Sequence, residues 1–165
     1  MKMKTPAAEA WIHGALLALF FGLLCIAGRA CRTETDCECR GSRDCGECIT
    51  YQERFALQEE VKTNLNAIYV AELAYFSNAN TYAPNFWMIN WYPLADHYYA
   101  YFLPQETIQP DITQPYSLPA GLAPAVDFLD FTAVAVGNID CDTVLDVWTI
   151  NDAKVIENLV NDVVE

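Results

Sequence analysis

The chain has 165 residues, is 53% hydrophobic and 13% aromatic, and carries a formal charge of −13 from 22 acidic and 9 basic side chains. That length and apolar content exclude a disordered tail and leave room for a domain with a real core plus a targeting segment. After Lys62 the only base is Lys154, against 13 Asp and Glu, so nothing basic is at hand to replace phosphate counterions and a nucleic-acid partner is not expected.

Residues 1–30, "MKMKTPAAEAWIHGALLALFFGLLCIAGRA", place Lys2 and Lys4 ahead of an apolar run from about Ala15 to Ala27. A short basic start, a Leu/Phe-rich middle and small residues at Gly28 and Ala30 have the form of a secretory signal peptide. Counted from Ala10 to Gly28, the run approaches the ~20 residues of a membrane-spanning helix. Signal peptide and retained membrane anchor therefore both stand as readings of 1–30, and either one exports the chain from Cys31 onward.

Residues 31–50 form a Cys-rich segment, with five of the seven cysteines inside "CRTETDCECRGSRDCGEC". In an oxidising compartment paired thiols become disulfides far more often than they hold zinc. Cleavage after Ala30 would remove Cys25 and leave an even set of disulfide candidates, Cys31, Cys37, Cys39, Cys45, Cys48 and Cys141, with the connectivity open. The spacing of Cys37, Cys39, Cys45 and Cys48 also allows a tetrahedral Zn²⁺, which is the less favoured reading. Covalent haem attachment fails because Ile49, not His, comes directly after Cys48.

From about residue 51 to 79 the chain is rich in Ala, Leu, Glu and Gln and has neither Gly nor Pro. Phe55, Val61, Leu65, Ile68, Ala71 and Tyr75 fall on one stripe, with Gln52, Glu59, Lys62, Asn66 and Glu72 largely off it, which predicts an amphipathic helix. Short polar residues at Ser77–Asn80 end it. Three apolar or alternating runs predict strands over about 97–103, 131–138 and 145–151. Between the first two, the Pro- and Gly-punctuated "PQETIQPDITQPYSLPAGLAP" predicts a long irregular connection. A long helix followed by a few strands gives an α+β fold, helix packed on a small antiparallel sheet, over 51–165.

The wording of this region resembles a known family. "EEVKTNLNAIYVAELAYFSNANTYAPNF" is similar to the segment of type IV pilins and pseudopilins that comes after their hydrophobic stem, and "INWYPLADHYYAYFLP" and "FTAVAVGNIDCDTVLDVWTIND" resemble their sheet and closing loop. The likeness covers about residues 54–162. It implies a pilin-like fold and a structural or interaction role in a type IV pilus or a type II secretion pseudopilus. The implied partners are pilin or pseudopilin subunits and inner-membrane assembly proteins, with the N-terminal segment in the membrane and the domain on the extracytoplasmic side of the cell envelope. The N-terminus is atypical: neither Gly14 nor Gly22 is followed at the fifth position by Glu, so the prepilin peptidase site is missing, and the Cys-rich segment separates the apolar run from the helix. The alternative is a free-standing envelope binding module with a calcium-stabilised loop, not assembled into filaments.

That loop is "GNIDCDTVLDVW". Asn138, Asp140, Asp142 and Asp146 have the alternation by which loop oxygens converge on Ca²⁺, and the similar loop of some pseudopilins binds calcium. The same residues favour a tight Asn/Asp turn between strands. A bridge from Cys141 to the Cys31–Cys48 group would tie this loop to the foot of the helix. Trp87 and Trp91, in "NFWMINWYPL", are candidates for a partner-contact patch. No catalytic motif is present, and His97 is the only histidine outside the leader. An enzyme is therefore the least expected class.

Overall fold

The structure, a computed structural model, describes residues 38–39, 48–49, 51–94, 96–112, 114–139 and 143–163. The proposed signal peptide or anchor at 1–30 lies outside these, as do Cys31, Cys37, Cys45 and Cys141. Of the Cys-rich segment only a short antiparallel ladder is described, β1 (Glu38–Cys39) with β2 (Cys48–Ile49). No helix among the described residues is long and apolar enough to cross a membrane.

Helix α1 runs from Tyr51 to Ala79, 29 residues, with Glu53 in its first turn, where an acidic side chain complements the helix dipole. It stops at Asn80, which takes a left-handed conformation (φ 54°) and returns its N–H to the Phe76 carbonyl at 2.9 Å. An Asn at that position closes the last turn at little steric cost. The buried stripe is Arg54, Leu57, Gln58, Val61, Leu65, Ile68 and Glu72. This differs from the sequence expectation in two ways. Phe55 is 41% exposed, whereas Glu72, placed off the stripe, is wholly buried. Three polar residues share the inward face, which is why apolar spacing alone misplaces it.

The remaining strands are β3 (Ala100–Leu103), β4 (Glu106–Ile108), β5 (Ala125–Val126), β6 (Phe131–Gly137), β7 (Asp146–Asn151) and β8 (Ile156–Val160). They form one antiparallel six-stranded sheet in the order β4-β3-β6-β7-β8, with β5 paired to the start of β6. The described fold is thus α+β, one helix and a six-stranded antiparallel sheet, preceded by the two-stranded β1–β2 ladder.

Alternation along the strands divides the interior in two. Tyr99, Tyr101, Leu103, Phe131, Ala133, Ala135, Trp148 and Ile150 join Leu57, Val61, Leu65 and Ile68 of the helix in the main core. Ala100, Phe102, Val134, Val136 and Val147 face the other way, under Tyr116, Leu118 and Leu122 of the connection between β4 and β5. Both sheet faces are therefore covered, which explains why β3 and β6 read as nearly continuous apolar runs. β4 lies within the connection expected to be irregular: the turn at Pro104–Gln105 is short enough to fold Glu106–Ile108 back onto β3.

Candidate functional site

Three places carry the residues singled out by sequence: the start of β7, the loop between α1 and β3, and a groove where that loop meets the helix.

Asp146 opens β7 opposite Gly137 of β6, and it is fully buried. Its neighbours come from three other stretches of chain and from its own strand. Gln58 Nε2, on the helix, donates to both carboxylate oxygens at 3.2 Å. The Tyr99 hydroxyl donates to Oδ2 at 2.5 Å, and Trp148 Nε1 to the same oxygen at 2.7 Å. Asn158 Nδ2 donates to Oδ1 at 3.0 Å and the Asp162 N–H at 3.3 Å. Burial, and then the charge of Asp146, push the Tyr99 phenol well above the ordinary tyrosine value, so Tyr99 remains a donor throughout the physiological range.

Local geometry explains how so many donors converge. Trp148 is two residues along β7 and so shares the face of Asp146. A register shift between Val147 and Trp148 skips Leu159, since Val147 pairs with Val160 but Trp148 with Asn158. A bulge of this kind re-aims side chains, and here it sets Asn158 beside Trp148. Gly137 leaves room for the Tyr99 ring: a Cβ there would sit 2.8 Å from Tyr99 Cδ1.

This arrangement bears on one of the four calcium candidates, Asp146. Asp146 does not face a surface loop; it is a buried acceptor whose two oxygens are occupied by protein donors. Asn138 comes just after β6, half-buried, and its carbonyl accepts from the Tyr116 hydroxyl at 3.5 Å. Asp140 and Asp142 lie outside the described residues. Among the described residues no group of three or more His, Cys, Asp or Glu is placed to hold a metal ion.

The loop after α1 separates the two tryptophans. Trp87 is 73% exposed, whereas Trp91 is 8% exposed and packs against Phe86 and edge-on to Tyr101, each with ring centroids 5.2 Å apart. Trp91 is therefore a core residue and not part of a contact surface. Met88, Tyr92 and Leu94, further along the same loop, are exposed as well.

Beside them, a groove of about 420 Å³ is lined by Glu59 and Glu60 of the helix and by Leu94, Asp96 and His97, among others. Glu59 bonds Lys62 at 2.7 Å, and Lys62 also lies over the Trp148 ring, 5.2 Å from its centroid. Glu60 accepts the Tyr98 N–H at 3.2 Å, fixing the approach to β3. His97 lines this groove ahead of β3 and is not a strand residue.

A second buried carboxyl, Glu72, was not singled out by sequence. Its Oε2 accepts the Ala83 N–H at 2.9 Å while Oε1 has no hydrogen-bond partner. Burial pushes its pKa up to about 7, against the lowering effect of the Ala83 bond. The glutamate thus joins α1 to the turn after it and changes charge near neutral pH.

No known family model matches the chain, and no curated protein matches it.

Proposed function

We propose that the chain is a pilin-like structural protein, a subunit or minor component of a type IV pilus or type II secretion pseudopilus, held on the extracytoplasmic side of the cell envelope. One observation carries the reading: a 29-residue helix packs on an antiparallel sheet within the segment, about 54–162, whose wording resembles the pilin domain. A domain of this form presents its exposed helix surface and loop tips to neighbouring subunits, and Val70, Leu73 and Trp87 are exposed at such places. Partners on this reading are other pilin or pseudopilin subunits and the inner-membrane proteins that assemble them.

The second reading, a free-standing envelope binding module, is favoured by the acid-lined groove beside Leu94. With Asp146 inside, Asn138, Asp140 and Asp142 remain as the loop's side-chain candidates, and an ion that takes roughly 6–8 oxygens would need further carbonyls or waters beside them. We favour the reading in which these Asn and Asp residues serve a tight turn and not a cation site. Calorimetric titration with Ca²⁺ tests this: no heat and no rise in melting temperature are expected. Shearing of cell-surface filaments, followed by N-terminal sequencing of the recovered chain, separates the two functional readings. Recovery in sheared filaments supports the first, and a soluble exported chain beginning at Cys31 supports the second.

A further inference from the structure

The backbone places two of the cysteines against each other. In the ladder between β1 and β2, Glu38 pairs with Ile49 and Cys39 with Cys48. Directly opposed residues of an antiparallel pair have Cα atoms about 4.5–5.5 Å apart, and a disulfide needs about 4.4–6.8 Å. Of the four ways to join Cys37 or Cys39 to Cys45 or Cys48, only Cys39 with Cys48 falls on this register. Strand pairing thus distinguishes among connectivities that the cysteine spacing leaves equal.

We infer that Cys39 and Cys48 are a disulfide-forming pair that closes the β1–β2 hairpin immediately ahead of helix α1. β2 ends at Ile49 and α1 begins at Tyr51, so the bridge fixes the chain just before the helix starts. It limits the directions from which the preceding segment can enter α1. The inference rests on the export reading only for the compartment in which oxidation occurs; the pairing itself comes from the register.

The chemistry balances as thiol–disulfide exchange with a low-molecular-weight disulfide. One cysteine thiolate attacks the disulfide of oxidised glutathione and expels one glutathione thiolate, forming a mixed disulfide. The second cysteine thiolate then attacks the protein-side sulfur, expels the other glutathione thiolate and leaves the Cys39–Cys48 bond. The two cysteines are oxidised by two electrons in all, and one glutathione disulfide is reduced to two thiols.

The test uses the full chain in detergent, reduced completely, oxidised with oxidised glutathione, alkylated and digested with trypsin plus a Glu-specific protease. Cleavage after Glu38, Arg40, Arg43, Glu47 and Glu53 isolates all four cysteines on separate peptides. The expected product joins Cys39-Arg40 to the peptide 48–53 and separates on reduction. A bridge from Cys45 to Cys48 or from Cys37 to Cys39, alkylated Cys39 or Cys48 after oxidation, or one equivalent of tightly held Zn²⁺ protecting the four thiols would each overturn the inference. The same digest on chain taken from cells tests the export reading separately. Reduced cysteines there, with the Cys39–Cys48 product still formed in vitro, would sink export and leave the pairing supported.

Discussion

Removing the Asp146 carboxylate leaves donors from Gln58, Tyr99, Trp148, Asn158 and the Asp162 backbone without their common acceptor. Breaking a buried polar network from its centre costs far more than any one hydrogen bond contributes. Asp146→Ala is expected to lower stability by about 3–5 kcal/mol in urea denaturation, and a loss below about 1 kcal/mol would show that the hub does not hold these elements together. Glu72 titrates in the opposite sense to a salt-bridged carboxylate. Its folded pKa of about 7 lies above the ordinary 4.5, so the fold favours the neutral form. The contribution is complete below about pH 4.5 and is lost as pH rises through 7, about 3 kcal/mol in all. Glu72→Gln retains an acceptor for the Ala83 N–H and does not ionise. Its stability relative to the parent should therefore increase between about pH 4.5 and 8.5, and parallel curves over that range would contradict the burial of a titrating carboxyl.

At the scale of elements, the sheet is assembled around close approaches that individual residues permit. Gly137→Ala would drive a Cβ into the Tyr99 ring and displace a donor of Asp146, an overpacking cost of about 1–3 kcal/mol measurable as a lower denaturation midpoint. The two loop tryptophans should separate in the same assay: Trp91→Ala should cost about 3–5 kcal/mol, and Trp87→Ala no more than about 0.5 kcal/mol. Strand β6 was legible in the sequence because it is apolar over most of its length, and β7 because Val147, Trp148 and Ile150 are interspersed with polar residues. β4 and β8 were not. β4 has three residues, none of them fully buried, and β8 alternates half-buried and exposed side chains at the sheet edge. The helix was legible from its composition and the centre of its inward face, Val61, Leu65 and Ile68, from its spacing, but the burial of Arg54, Gln58 and Glu72 was not, because they pack among residues distant in sequence. For the same reason Asp146 read as a loop ligand: its Asn/Asp-rich neighbours resemble a cation loop, while most of its donors lie outside any local motif.

For the whole molecule, charge and layering point the same way. The acidic chain beyond Lys62 covers a sheet that is closed on one face by α1 and on the other by the connection through Tyr116 and Leu122. Among the described residues both faces of the sheet are covered, and the helix exterior, the Trp87 loop and the groove at Glu59, Glu60 and Asp96 are the surfaces on which the proposed subunit contacts would be made. Surfaces of that kind suit association with other protein subunits. The most direct test shears the surface of cells expressing the full chain and fractionates the remainder. The pilin-like account predicts the chain in the sheared filament fraction, with the remainder in the membrane fraction. Its confinement to the soluble interior of the cell, with every cysteine reduced and none recovered from filaments or envelope, would contradict it.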